Sequence, residues 1–211
     1  MATFEVERQV LKQGYLTIAG VDEAGRGALF GPVVAAAVVF SAWRITRPVR
    51  GWLGEVTDSK LLAPAKRKKL AGCILGEAEA VGVGLATSRE IDEKNIYWAS
   101  LEAMKRAVDG LAARPDFLLL DGFKHNTSGF GCPHLGVIEG DRKCLSVAAA
   151  SVVAKVVRDE MMTKLEVFFS GYNLAGNKGY GTQAHYQALR EKGPTRLHRR
   201  TFNLEGKKGS R

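Results

Sequence analysis

Residues 20–40 read GVDEAGRGALFGPVVAAAVVF: two adjacent acids, a glycine-rich turn carrying one arginine, then a run of Val and Ala. This stretch restricts the fold more than any other in the chain. Tyr15 to Asp22 has strand character and so does Val33 to Phe40, so the glycines between them predict a hairpin or a sharp reversal. In a regular strand neighbouring side chains point to opposite faces, so Asp22 and Glu23 cannot both serve one site from ideal β structure. If both act, the strand must bend or end at Glu23, and the following Ala-Gly-Arg-Gly is suited to that. Taken alone, the stretch admits a catalytic site, a nucleotide cradle or an ordinary polar turn.

The rest of the chain alternates strand and helix signals. Asp58-Ser59 is read as the cap of a helix that has Pro64 in its first turn and runs on through AKRKKLAGCILGEAEA. Ala80 to Ala86 alternates as a third strand. From Ser88 to about Leu111 the periodicity is helical, with Ile91, Ile96, Leu101, Met104 and Val108 on the core side. Phe117 to Leu120 is a short apolar strand ending at Asp121-Gly122. A loop with Gly129, Gly131 and Pro133 leads to a strand from His134 to Ile138, which ends at Glu139-Gly140-Asp141. A long helix is predicted from Leu145 to about Phe169, and a further one near Ala184 to Glu191 inside a basic C-terminal segment. The fold class is α/β with a mixed sheet.

A chain of 211 residues forms one ordinary domain with a real core. Its apolar runs are too short to span a bilayer, and its acidic N-terminus has no apolar signal core, so no membrane span and no export are expected. Three cysteines, Cys73, Cys132 and Cys144, without CxxC spacing argue against a disulfide framework and suit a reducing cytoplasm. The net charge is +9, and residues 41–70 and 190–211 each hold eight Lys/Arg against two acids. Two basic segments around a neutral-to-acidic middle suit a polyanion-binding surface, although basic loops also simply keep a protein soluble.

Asp22, Asp121 and Asp141 share one setting, the end of an apolar strand. Several carboxylates buried together repel one another and lose hydration, and a divalent cation removes both objections. Two Mg²⁺ ions about 4 Å apart can activate water and stabilise a leaving oxygen in phosphodiester cleavage. An Asp at a strand end is equally a common turn residue, so both readings stay open at each position. The GRG segment lacks the third glycine of a dinucleotide fingerprint and no Walker lysine follows it. His125, His134, His185 and His198 show no paired ligand spacing and are read as surface or packing residues.

Together the blocks resemble bacterial ribonuclease HII along nearly the whole chain. The matching residues are GVDEAGRG and GPVVAAAVV within 20–39, TDSK (57–60), SREIDEKNI (88–96), LDG (120–122), GDRK with LSVAAASVVAKVVRD (140–159), NKGYGT (177–182) and GPTRLHRRTF (193–202). The resemblance implies an RNase H-like fold with a mixed central sheet over residues 1–170. A basic helical segment, residues 171–211, is then expected to pack on the substrate cleft. It implies a cytoplasmic endonuclease that cuts the RNA strand of RNA–DNA hybrids. It also implies incision on the 5′ side of single ribonucleotides in duplex DNA, leaving 3′-hydroxyl and 5′-phosphate ends. A monomer is expected, with the C-terminal tail available to replication or repair proteins.

Carried over by position, the resemblance makes Asp22, Glu23, Asp121 and Asp141 the catalytic acids, holding two Mg²⁺ or Mn²⁺ ions. Gly25, Arg26 and Gly27 become the loop that contacts the ribonucleotide, and Tyr180 the residue that stacks at the RNA–DNA junction. Ser59, Lys60, Lys143, Ser151 and Lys155 are implied phosphate contacts, with Arg199 and Arg200 as looser ones. Asp159 is assigned an ion pair with Lys155, four residues earlier on the same helix. The chain departs from the family's GRGPLAGP by Ala28 and Phe30, which frees the backbone after the loop and requires room for a ring. Its DSKLLAP also lacks one lysine of the family's DSKKLS. The nearest rival, ribonuclease HIII, generally carries an extra N-terminal domain, and only about fifteen residues precede the first strand here. A non-catalytic nucleic-acid-binding module is the other alternative, against which the four acids argue.

Overall fold

The computed structural model describes residues 1–122 and 129–206. His125 and residues 207–211 of the C-terminal tail lie outside them. The strands are β1 (Ile18–Ala24), β2 (Val33–Val39), β3 (Ala80–Ala86), β4 (Phe117–Asp121) and β5 (His134–Val137). They form one five-stranded sheet in the order β3-β2-β1-β4-β5. The pairs β1–β2 and β2–β3 are antiparallel, and β1–β4 and β4–β5 are parallel, so the sheet is mixed as expected. The helices in chain order are α1 (Glu5–Lys12), α2 (Ala42–Thr46), α3 (Pro64–Glu77), α4 (Ser88–Asp109), α5 (Gly140–Lys143), α6 (Leu145–Leu165), α7 (Leu174–Asn177) and α8 (Gln183–Lys192).

The composition of β2 follows from its place. All of VVAAAVV is buried, because α6 covers one face of the sheet and α4 the other. Ala36 and Val38 pack with Ala148, Ala149 and Val152 of α6, while Ala35, Ala37 and Val39 pack with Leu101, Met104 and Ala107 of α4. The period-two alternation therefore separates two apolar faces rather than an apolar and a wet one. Gly20 sits where α6 crosses β1: a Cβ there would stand 2.2 Å from the backbone carbonyl carbon of Ser146. Gly20→Ala is expected to cost about 3 kcal/mol and lower the melting temperature by about 6–12 °C in calorimetry, since helix backbone cannot yield as a flexible side chain does.

Four helices are absent from the sequence expectations: α1, α2, α5 and α7. The eight residues of α1 bury Glu7, whose Oε1 accepts from the amide (2.9 Å) and hydroxyl (2.7 Å) of Ser146. A distant carboxylate thus caps α6, whose own N-cap residue, Cys144, makes no side-chain cap bond. Asp58 is not the cap of α3. It caps a 3-10 turn, Ser59–Leu61, through the Lys60 amide at 2.9 Å, and α3 starts at Pro64 behind Ala63 without a side-chain cap. Proline at the first position needs no amide partner, which makes such a cap dispensable. Several ends also fall short: α3 stops at Glu77, β5 at Val137, and α6 at Leu165 rather than about Phe169. In α4 the helix breaks at Asn95 (φ 67°, ψ 166°) and restarts, the Asn95 Oδ1 accepting from the amides of Tyr97 and Trp98.

The basic segment 41–70 does not form one surface. Val39, at the end of β2, pairs with Ala19 at the start of β1, so α2 with Arg44 and Arg47 lies at the end of the sheet away from Asp22. The C-terminal residues fold back on the loop between β1 and β2. Tyr172, Leu174, Ala188 and Leu189 pack with Leu29, Phe30 and Met162. Among the described residues no helix is long and apolar enough to cross a membrane.

Candidate active site

The register of β1 on β4 brings two acids together. Val21 pairs with Leu120, so Asp22 and Asp121 stand side by side one step further on. Both side chains point to the α6 face, Asp22 in phase with Gly20 and Asp121 in phase with Leu119. Asp141 reaches them from α5, and ligand oxygens of Asp22, Asp121 and Asp141 lie within 4.8 Å of one another. The Gly140 amide donates to Asp121 Oδ1 at 2.7 Å, tying α5 to the end of β4.

Glu23 is a partial correction. The strand neither bends nor ends at Glu23, which pairs with Ala35, and Ala24 still pairs with Val34. Its side chain leaves on the α4 face, as alternation requires, and reaches the same cleft over the end of the sheet. There its Oε1 meets the Arg26 guanidinium at 3.3 Å, and its buried Oε2 has no hydrogen-bond partner. The strand ends at Ala24, immediately before Gly25 (φ +94°).

A cleft of about 270 Å³ is lined by Asp22, Glu23, Ala24, Gly25, Arg26, Gly27, Ser59, Lys60, Asp121, Ser151, Lys155 and Tyr180. Sequence-predicted residues from β1, β4, the 3-10 turn, α6 and the NKGYGT turn thus share one concavity. Burial sets the electrostatics of its acids. It holds Asp22 well above the ordinary carboxylate range, with Glu23 and Asp121 adding repulsion. It pushes Glu23 up to about 7 against the pull of Arg26, and raises Asp121. It pushes Asp141 up to about 6, aided by the charges of Asp121 and Asp58. An all-oxygen, crowded, anionic donor set with an orphaned carboxylate oxygen fits a hard divalent cation.

Not every expected contact reaches the cleft. The Lys143 ammonium turns away and donates to the Ile138 carbonyl at 2.7 Å. Arg200 is exposed outside the cleft, its amide bound to Asp92. Arg199 is overturned as a phosphate contact: it is fully buried and donates to the carbonyls of Gly31 (3.0 Å) and Arg26 (2.7 Å). Arg158, which the sequence reading passed over, does the same from α6, donating to Pro32, Lys178 and Phe30 carbonyls at 3.1, 2.8 and 3.2 Å. The available signal was spacing, because Ser151, Lys155 and Arg158 fall on one face of a helix. Asp159 forms the expected pair with Lys155 at 2.6 Å and also meets Arg67 at 3.2 Å. Phe30 is accommodated by packing, fully buried and edge-on to Phe169 and His198.

His185 and His198 are packing residues of an unusual kind, a buried pair with Nε2 atoms 3.1 Å apart, while His134 is half-buried near Phe130. Burial first, then the charges of His185 and Arg200, push His198 down to about 4. A depressed histidine gives stability that is whole above its unfolded value near 6.5 and lost as pH falls through about 4. The loss is expected to be on the order of 2–3 kcal/mol. The acids push the opposite way over this range, so the check is the difference in urea-unfolding free energy between wild type and His198→Gln at pH 7 and pH 4.5. That difference should shrink on acidification.

A mixed sheet flanked by helices, with carboxylates converging at the end of its central strands beside a glycine-walled basic cleft, defines a divalent-metal-dependent nuclease of RNase H-like fold. The family model for ribonuclease HII matches residues 19–205, and the chain belongs to that family. It is 47% identical over 201 residues to a ribonuclease HII of Moorella thermoacetica, covering 95% of this chain and 93% of the relative. The ribonuclease H2 of Pyrococcus horikoshii OT3 superposes with a TM-score of 0.73 at 27% identity, covering 90% of this chain and 95% of its own. The Archaeoglobus fulgidus ribonuclease HII solved as a complex with PCNA gives 0.71 at 26%, covering 90% and 97%. The enzyme is an endonuclease of RNA–DNA hybrids.

Proposed function

We propose that this chain, besides cutting the RNA strand of hybrids, incises duplex DNA on the 5′ side of a single embedded ribonucleotide. The products would be a 3′-hydroxyl and a 5′-phosphate. The observation that carries the proposal is the shared cleft: the acid cluster, the Gly25-Arg26-Gly27 turn and Tyr180 border one concavity. A scissile phosphate on the acids would place the adjoining ribose against that turn. Its peptide groups can both donate to and accept from a 2′-hydroxyl, the group that separates RNA from DNA. Tyr180, with its ring 5.5 Å from the Lys155 ammonium and 5.3 Å from the Arg158 guanidinium, offers a flat face to the next sugar.

Asp22, Glu23, Asp121 and Asp141 would hold two Mg²⁺ or Mn²⁺ ions. Such ions, when bound, supply the Lewis acidity that activates water and neutralises a departing 3′ oxygen. No protein nucleophile is required. Lys60, Lys155, Ser59 and Ser151 line the cleft where phosphate oxygens would lie. The C-terminal segment expected from residue 171 onward would close the cleft, and the protein would be a cytoplasmic monomer whose tail contacts replication or repair proteins. A duplex with one ribonucleotide, incubated with Mg²⁺ or Mn²⁺ and then with EDTA, tests the activity. A cut 5′ to the ribonucleotide, lost on chelation, is expected; cleavage confined to longer RNA runs would refute the junction reading. Tyr180→Ala should lower cleavage at the single ribonucleotide about tenfold or more relative to a continuous hybrid, as loss of one stacked face predicts.

A further inference from the structure

Behind the Tyr180 turn, the buried histidine pair makes bonds that leave one protonation pattern. His185 Nδ1 lies 3.0 Å from the Tyr180 carbonyl oxygen, which can only accept, so His185 carries its proton on Nδ1. Its Nε2 is then an acceptor, facing His198 Nε2 at 3.1 Å. The Thr195 amide donates to His198 Nδ1 at 2.9 Å, so His198 is an acceptor there and carries its proton on Nε2. Every donor in the chain from Thr195 through His198 and His185 points towards Tyr180, an alignment in which each bond polarises the next.

Both rings are buried, so neither is a surface residue that happens to touch its neighbour. The relay also has a fixed mooring. His198 forms an antiparallel bridge with Phe30, and its ring meets those of Phe30 and Tyr172 at 5.0 Å each. Phe30 lies in the same loop as Gly25, Arg26 and Gly27, and its amide and that of Leu29 both donate to the Gly179 carbonyl. The Tyr180 carbonyl also accepts from the Thr182 amide at 2.8 Å, and Thr182 caps α8 through the His185 amide. One carbonyl is therefore gripped from two sides, by the turn itself and by the relay.

We propose that His185 and His198 are positioning residues: their ordered hydrogen-bond relay fixes the Tyr180 turn against the Gly25–Gly27 loop and so sets selectivity for the ribonucleotide junction. This rests on Tyr180 as the junction-sensing residue. The relay touches no reacting atom. It keeps the two walls of the cleft in one register, so that the ribose at the Gly25–Gly27 turn and the next sugar at Tyr180 are read together.

Three measurements on the full-length protein test it. Histidine long-range ¹H–¹⁵N spectra should show His185 protonated on Nδ1 and His198 on Nε2; the opposite tautomer of His185 overturns the relay. This arm needs no variant and remains decisive if a substitution fails to fold. Amide exchange at residues 180–182 should quicken roughly five- to tenfold in His185→Leu, the loss of about one neutral hydrogen bond. It should be partly restored in His185→Asn, whose amide nitrogen stands near the position of Nδ1 but which has no atom to meet His198. Equal rates in all three proteins overturn the proposal. In cleavage, folded His185→Leu should lose selectivity for a single ribonucleotide over a continuous hybrid as Tyr180→Ala does, and His185→Asn should fall between His185→Leu and the wild type. A folded His185→Leu with wild-type selectivity, beside a Tyr180→Ala that has lost it, overturns the proposal alone. Tyr180→Ala with unchanged selectivity instead sinks the junction reading, and the exchange rates then decide whether the relay positions the turn.

Discussion

Asp22→Asn should lose cleavage by about 10³-fold or more, and yet in metal-free buffer it should be more stable than the wild type. The two halves have one cause. Asp22 is buried beside Glu23 and Asp121, so its ionised form lacks water and faces like charge, which raises its pKa. Asparagine keeps the shape and an oxygen that still accepts from the Glu23 amide, a bond of 2.6 Å in the wild type. Relief of the buried charge is expected to add on the order of 1 kcal/mol, or about 2–4 °C in melting temperature. Removal of a ligand from the proposed metal centre should remove several kcal/mol of transition-state stabilisation, hence the size of the activity loss.

The pH dependence follows with a definite sign. In the folded protein Asp141 is pushed to about 6 and Glu23 to about 7, so the native state holds more protons than the unfolded chain above pH 4. Stability from these groups is present below their unfolded values and is lost as pH rises through the folded ones. Asp22→Asn should flatten that decline between pH 4 and pH 7. Mn²⁺ should raise the melting temperature of the wild type and leave that of Asp22→Asn nearly unchanged. Scanning calorimetry with and without Mn²⁺ reads both effects. Near-normal turnover by Asp22→Asn would refute the metal assignment, and a lowered metal-free melting temperature would refute the account of buried repulsion.

What the sequence made legible was whatever depends on neighbours in the chain. The strand end at Asp121 and the long helix from Leu145 follow from local apolar pattern, and the hairpin around Gly25 follows from backbone freedom, although β1 runs on two residues past Asp22. What was hidden depends on partners far away. The Glu7 side chain caps a helix that begins 138 positions later, at Leu145, and nothing local to either residue announces it. The resemblance made Arg199 a looser phosphate contact, and only the fold shows it bound to the carbonyls of Gly31 and Arg26. The constraint drawn from Asp22 and Glu23 was sound in its physics and wrong in its consequence. The cleft lies at the end of the sheet, where both faces are within reach, so no bend was needed.

Arg158 and Gly25 are expected to behave as one unit, and the second large prediction is the coupling between them. A Cβ on Gly25 would lie 1.9 Å from Arg158 Nε, and the backbone there has φ +94°, which side-chain-bearing residues rarely adopt. Gly25→Ala should therefore cost about 3 kcal/mol, partly from backbone strain and partly from collision with the guanidinium. Arg158→Ala should cost about 4 kcal/mol, because three carbonyls of the loop and the Lys178 turn lose a charged donor in a buried place. In the double variant the collision no longer exists while the strain remains, so the sum should fall short of additivity by about 1–2 kcal/mol. Urea unfolding of the four proteins of this cycle measures the coupling directly. Strict additivity would mean that Arg158 does not press on the turn, and the buried guanidinium would then hold only the Phe30–Pro32 and Lys178 carbonyls. Cleavage gives a second reading of the same unit. Arg158→Lys keeps a positive charge but cannot spread three donors over three carbonyls, so it should fall to within a few-fold of Arg158→Ala in kcat/KM. If lysine restored full activity, charge beneath the loop would be the whole of the arginine's role, and the fork geometry would be incidental.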